Sequence, residues 1–196
     1  MRFRLGLTGS IGMGKSQTAG FFAEAGCPVW DADAAVHRLY AAGGAAVAAI
    51  GAAFPQAIVD GAVSREALRE VIAADSTALK LLESIVHPLV RADRAEFDRT
   101  HPEAIGVFDI PLLYETGSET EFDAVACVTI PEDIQRDRVL ARGTMSAEDL
   151  DRILARQMPN AEKCARADFV ITTDTLDHAR AQVQAVLKEI ERRLDA

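Results

Sequence analysis

The sequence predicts an α/β fold: a three-layer core around a parallel five-stranded sheet, with two helical excursions from it. Three observations carry that expectation. Short apolar runs alternate with helical patterns along the 196 residues, and strands separated by helices need crossover connections, which make them parallel. The length suits one or two domains. Hydrophobic residues are 49% and charged residues 26% of the chain, enough apolar material for one sizeable core.

The elements follow in order. Phe3 to Thr8 is a short buried strand that runs into a glycine-rich turn. Ser16 to Ala25 is a helix stopped by Gly26 and Pro28. Pro28 to Asp31 is the second strand and Ala34 to Ala42 the second helix, punctuated by Gly43 and Gly44. From Ala45 to Arg99 no run reads as a strand. Apolar residues fall at helical spacing at Leu68, Val71 and Ile72, and again at Leu79, Leu82, Ile85 and Val86. This predicts a helical insertion in which Pro88 ends a helix just after His87. Ile105 to Ile110, closed by Pro111, and Ala124 to Ile130, closed by Pro131, are the third and fourth strands. Glu132 to Arg142 is a helix with a charged face, and Gly143 to Asn160 a loop and a further helix, opened by a capping-box-like Ser146 and Asp149. Phe169 to Thr172 is the fifth strand. Leu176 to Leu194 is a long amphipathic helix with Ala179, Val183, Val186, Leu187, Ile190 and Leu194 on one stripe.

The formal net charge is −9. That balance argues against nucleic-acid polymers and anionic membranes as partners, since both reward a basic surface. A small anionic ligand needs only a local cluster of cations. No apolar run approaches the roughly 20 residues of a membrane helix, and Met1 to Leu7 is too short for a signal peptide. The cysteines, Cys27, Cys127 and Cys164, are widely spaced with no CxxC. They predict a reducing cytoplasm and neither structural zinc nor a disulfide framework. The sequence does not set the oligomeric state; a monomer fits it.

Gly9-Ser10-Ile11-Gly12-Met13-Gly14-Lys15-Ser16 matches G-x-x-x-x-G-K-[ST] between a strand and a helix, the context that a phosphate-binding P-loop requires. Glycines let the backbone fold around a phosphate and aim N–H groups inward, and the helix N-terminus adds partial positive charge. Lys15 is placed to reach β- and γ-phosphate oxygens and the Ser16 hydroxyl to ligate Mg²⁺. The loop predicts a nucleoside triphosphate and leaves the acceptor open. NKxD and strand-following DxxG signals are absent, against a GTPase switch, and no long basic surface suits a nucleic-acid motor. A small-molecule kinase remains.

Other residues carry paired readings. Asp31 and Asp33 close the second strand and, two apart in extended chain, share a side. Asp33 either takes a proton from an attacking hydroxyl or helps hold Mg²⁺, or it caps the following helix. Arg138, Arg142 and Arg152 flank Gly143, either as lid arginines for the transferring phosphoryl group or as a solvated helix face. His87 either donates to a substrate oxygen or caps carbonyls. Arg65 either meets an anionic substrate or is solvated. His37 and Arg38 either face the site or are plain surface. Asp109 resembles a Walker-B carboxylate in position or lies outside the site.

Taken together, the motifs resemble the dephospho-coenzyme A kinase family. The resemblance runs through Leu7 to Ser16, Asp31-Ala32-Asp33 with His37-Arg38, Asp60-Gly61 leading to Arg65 and Leu68, and Val86-His87-Pro88. It continues through Asp109 to Glu115, Gln135 with Arg138 and Arg142, Arg152 with Gln157, and Ala167 to Ile171. It implies transfer of a phosphoryl group from ATP, with Mg²⁺, to the ribose 3′-hydroxyl of dephospho-CoA, the final step of coenzyme A synthesis. By position it implies Asp33 as base, Gly12 to Gln17 as the ATP phosphate contacts, and Arg138 and Arg142 as lid arginines. Arg65 and His87 fall in the region resembling the substrate domain, and His37 and Leu113 join them as substrate-side candidates. The implied organisation is a core of residues 1–59, 104–134 and 163–196, a helical substrate domain of 60–103 and a lid of 135–162. Two positions depart from the family pattern: Gln17 stands where Thr is usual, and Thr173 where Asn is usual, near the family's adenine position. The alternatives are another small-molecule kinase of nucleoside or nucleotide type, and a nucleotide-responsive binding protein.

Overall fold

A computed structural model of the chain describes every residue except 103; the end of the expected 60–103 substrate domain therefore lies outside the described residues. In chain order the elements are β1 (Phe3–Thr8), α1 (Lys15–Glu24), β2 (Val29–Asp31), α2 (Ala32–Tyr40), α3 (Val47–Ala53), β3 (Ile58–Val59) and β4 (Ala62–Val63). There follow α4 (Arg65–Ala74), α5 (Ala78–Thr100), β5 (Ile105–Asp109), β6 (Ala124–Thr129), α6 (Glu132–Leu140), α7 (Ala147–Leu154), α8 (Asn160–Arg166), β7 (Phe169–Thr172) and α9 (Leu176–Leu194). The chain divides into two compact units, residues 1–30 with 101–196, and residues 31–100.

The first unit is built on the predicted five-stranded sheet, in the order β2-β5-β1-β6-β7. β1 is central and pairs in parallel with β5, Leu5 opposite Val107, and with β6, Leu5 opposite Ala124. Leu5 and Leu7, two apart on one face of β1, are fully buried. β6 pairs in parallel with β7. On one face, α1 and α9 set Phe21, Phe22, Val183, Val186 and Ile190 against Leu5, Leu7, Val128 and Ile171. The opposite face carries a smaller cluster of Leu113, Tyr114 and Val125, packed by Met158 and Ala167. These are the three layers. At the outer edge, the Gln182 amide of α9 accepts from the Thr172 N–H at 2.9 Å and donates to the Thr172 carbonyl at 2.8 Å.

The second unit packs α2 to α5 around Leu39, Ile50, Phe54, Leu68, Leu82 and Val86. Two expectations need correcting here. β3 and β4 form an antiparallel hairpin, Ile58 opposite Val63, turned by Asp60 and Gly61 with φ of 49° and 76°. Both residues adopt the positive φ of a two-residue hairpin turn, which Asp-Gly signals; strands of two residues are too short for alternation to show. Secondly, Pro88 does not end a helix. It lies inside the 23-residue α5. Leu82 and Val86 before it are buried, and Leu89 and Val90 after it pack on the same core. That burial keeps the helix continuous through Pro88, although the proline ring removes the hydrogen bond to the Ser84 carbonyl.

Elsewhere the boundaries shift by a residue or two, those of β1, β7 and α9 not at all. The stretch expected to hold one helix after Gly143 contains α7, with a complete capping box between Ser146 and Asp149. It is followed by the short α8, whose start at Asn160 directly follows Pro159.

Candidate functional site

The site begins where β1 ends. Buried Thr8 leads into the glycine-rich loop, and α1 opens at Lys15. Gly12 and Gly14 have φ of +78° and +88°, a region that L side chains avoid. Space is short as well. A Cβ on Gly12 would lie 2.4 Å from Val139 Cγ2, and one on Gly14 2.9 Å from Thr173 Oγ1. The Met13 side chain is buried in the core, its sulfur accepting from the Ile130 N–H at 3.2 Å; only its backbone faces the loop's business.

Lys15 forms an ion pair with Asp109, the last residue of β5, whose side chain is 1% exposed. The pair sits at the carboxyl ends of adjacent strands, the edge of an open α/β sheet that takes ligands. Ser16 and Gln17 follow on the first turn of α1 and are exposed.

Thr173, one of the departures from the family pattern, is a structural junction. Its hydroxyl donates to the Met13 carbonyl at 2.8 Å. Arg138 donates to the Thr173 hydroxyl at 3.2 Å and to the Thr173 carbonyl at 2.8 Å. Arg138 is thus fixed between α6 and the end of β7. A cavity of about 240 Å³ lies beside this junction, lined by Gly14, Gln17, Arg138, Thr173, Asp174 and Thr175. Both departures, Gln17 and Thr173, line it.

The other arginines stand apart. Arg142 is exposed just past α6, and Arg152, also exposed, pairs with Asp149 at 2.9 Å on its own helix. Leu113 is wholly buried with Tyr114 and Val125, so its side chain builds the core. Asp33, His37, Arg65 and His87 all belong to the second unit and are exposed. The strand ends at Asp31 and the helix begins at Ala32, so Asp31 and Asp33 are not two positions of one extended run. Asp31 caps α2 by accepting from the Ala34 N–H at 2.8 Å, and Asp33 lies in its first turn. The capping alternative for Asp33 is therefore taken by Asp31. The guanidinium of Arg65, first residue of α4, lies 6.0 Å from the Tyr40 ring, and Arg38 pairs with Asp93 at 2.6 Å.

Three side-chain amides hold the loop from behind, and no role for them was read from the sequence. Asn160 accepts from the Ser10 N–H at 3.0 Å and donates to the Val128 carbonyl at 3.2 Å and the Thr129 hydroxyl at 3.1 Å. Gln157 accepts from the Ile11 N–H at 3.3 Å. Gln135 donates to the Ile11 carbonyl at 2.6 Å.

A parallel sheet whose central strand feeds a glycine-rich loop, a lysine and a helix N-terminus defines a P-loop nucleotide-binding protein. The comparisons narrow the class. The family model described as Dephospho-CoA kinase matches residues 3–178. The Dephospho-CoA kinase of Ruegeria pomeroyi is 64% identical over 190 residues, covering 97% of this chain and 96% of the relative. That of Cereibacter sphaeroides is 59% identical over 194 residues, covering 99% and 98%. The crystal structure of TT1252 from Thermus thermophilus superposes with a TM-score of 0.83 at 35% identity, covering 95% of this chain and 97% of that one. The chain belongs to the dephospho-CoA kinase family.

Proposed function

We propose that this protein transfers the γ-phosphoryl group of ATP to the ribose 3′-hydroxyl of dephospho-CoA, giving coenzyme A and ADP. The observation that carries the reading is a family match over residues 3–178 that includes an intact loop from Gly9 to Ser16. The ATP phosphates lie on the backbone N–H groups from Gly12 to Gln17 and at the N-terminus of α1. The adenine occupies the cavity beside Gln17 and Thr173, which Arg138 also lines.

Among the described residues no group of three or more His, Cys, Asp or Glu could hold a metal ion. Mg²⁺ does not require such a cage, because it keeps several waters and binds through substrate phosphates with one or two protein oxygens. The Ser16 hydroxyl would hold it, and when bound it neutralises charge developing on the β- and γ-phosphates. Lys15 leaves Asp109 for the phosphate oxygens as the triphosphate arrives. Asp109 thus keeps the ammonium extended at the strand edge until then. Asp33, exposed and relieved of capping by Asp31, takes the proton of the ribose hydroxyl. Arg142, free of the helix, stabilises the transferring group with Lys15. The unit of residues 31–100, with His37, Arg65 and His87, receives the acceptor, and residues 135–162 serve as a lid. The free thiols of Cys27, Cys127 and Cys164 suit a reducing cytoplasm.

The test is a coupled assay with purified protein, ATP·Mg²⁺ and dephospho-CoA, run beside adenosine, AMP and shikimate as acceptors. ADP release specific to dephospho-CoA is expected; release with another acceptor only, or none above background, overturns the reading. Asp33→Asn is expected to lower kcat by about 10²–10⁴-fold with ATP affinity unchanged. Retained turnover would remove Asp33 from the chemistry.

A further inference from the structure

We infer that Gln135 is a positioning residue that sets which way the loop presents its Gly12 N–H to the triphosphate. The inference rests on the phosphate-binding reading of the loop and deepens it. Ser10 to Met13 form a tight turn, closed by the Met13 N–H donating to the Ser10 carbonyl at 3.2 Å. Gly12, third in that turn, has a φ of +78°, and Ile11 before it is not among the positive-φ residues. Those values define a type II turn. Type I and type II turns differ chiefly by a flip of the peptide between their two central residues, here Ile11–Gly12. Glycine in the third position accepts both arrangements. The loop's own backbone therefore does not decide where that peptide points.

Gln135 decides it. Its amide donates to the Ile11 carbonyl at 2.6 Å, and its side chain is buried. The carbonyl of Ile11 and the N–H of Gly12 belong to one trans peptide, so they point in opposite directions. Drawing the carbonyl towards α6 turns the Gly12 N–H away from α6 and into the mouth of the loop. The neighbouring groups are settled differently. The Ile11 N–H is held by Gln157 and the Ser10 N–H by Asn160, so neither is presented to a ligand in this arrangement. The next N–H along, that of Gly12, belongs to a peptide whose carbonyl is held by one side-chain donor, the Gln135 Nε2 group. A methionine there would keep the length and apolar packing and lose the donor; a glutamate would set an acceptor against the carbonyl.

The experiment compares wild type with Gln135→Met and Gln135→Glu in affinity for ATP, ADP and inorganic tripolyphosphate, alongside KM, kcat and thermal midpoint. Expected is a tenfold or greater loss of affinity, similar for all three ligands. KM for ATP should rise, while KM for dephospho-CoA stays within twofold. Unchanged affinity in Gln135→Met, or a loss confined to the thermal midpoint, overturns the inference. Wild-type protein that binds neither ATP nor tripolyphosphate overturns the phosphate-binding reading itself, and this inference with it. Wild-type ¹⁵N spectra test the same point with no variant. On adding ADP the Gly12 amide should shift strongly while the Ile11 and Ser10 amides, held by Gln157 and Asn160, move little. The reverse pattern would refute the assignment.

Discussion

Lys163 shows at the scale of one residue what lies under the site. It is completely buried on the short α8. Its ammonium lies 2.8 Å from the Glu115 carboxylate and donates to the Pro111 carbonyl at 3.3 Å. Glu115 also accepts from the Met158 N–H at 2.9 Å, and the Thr8 hydroxyl donates to the same Pro111 carbonyl at 3.2 Å. One ion pair thus joins α8, the segment after β5 and the last residue of β1. Burial pushes the Glu115 carboxyl up, but the Lys163 and Met158 hydrogen bonds outweigh it and hold the group below its ordinary 4.5. A depressed folded value contributes stability that is present above the unfolded pKa and lost as pH falls through the folded one. Urea unfolding from pH 7 downward should show stability falling below about pH 4.5, with a shallower fall in Glu115→Gln; parallel curves for the two proteins would remove Glu115 from the effect. Lys163→Ala leaves the carboxylate buried without its cation and should cost about 3–5 kcal/mol. At this scale the sequence disclosed the part of the site that is local in the chain. Gly12, Gly14, Lys15 and Ser16 lie within one motif, and their spacing is the chemistry. Gln135, Gln157 and Asn160 reach the loop from 124, 146 and 150 residues away, and an amide side chain carries no local mark of what it will meet after folding.

Among the elements, α5 is the one whose sequence signal and structure part company. A proline inside a helix removes one hydrogen bond and crowds the preceding turn, a cost of about 3 kcal/mol in an exposed interior. α5 is nevertheless continuous, because Leu82, Val86, Leu89 and Val90 pack on one core and tertiary burial overrides the local preference. Pro88→Ala should stabilise the protein, by at most about 3 kcal/mol, read as a higher urea midpoint at unchanged slope. No gain would mean the helix has already absorbed the cost by bending. β1, β7 and α9 were legible to the residue because each carries a complete pattern: a short apolar run for the strands, and a long stripe at helical spacing for the helix. The β3–β4 hairpin and α8 were not, since two-residue strands and a seven-residue helix hold too little sequence for any periodicity.

For the whole molecule, the net charge of −9 and a polyphosphate ligand are compatible, because the proposed binding needs only Lys15, a few arginines and backbone N–H groups. Among the described residues no group of three or more His, Cys, Asp or Glu could hold a metal ion, whereas the proposed reaction uses Mg²⁺. EDTA should therefore abolish phosphoryl transfer and leave the melting temperature of the ligand-free protein unchanged. A large drop in that temperature would reveal a structural metal. Saturating ATP, at about 100 times its Kd, should add about 2.7 kcal/mol to stability. The five-stranded architecture was readable from the alternation of strands and helices, since connections between parallel strands follow few rules. The division at Asp31, the last residue of a three-residue strand, was not, because nothing in the local composition marks where one core ends and another begins.

β7 is the last strand of the sheet, and such a margin carries open donors and acceptors that invite another chain to add itself there. The Gln182 side chain meets Thr172 with one acceptor and one donor, the same pair a neighbouring strand would bring. It acts as a one-residue imitation strand, supplied by the protein's own last helix. The margin is closed at that point against self-templated stacking, so the molecule carries its own guard against aggregation at the strand end nearest its phosphate loop.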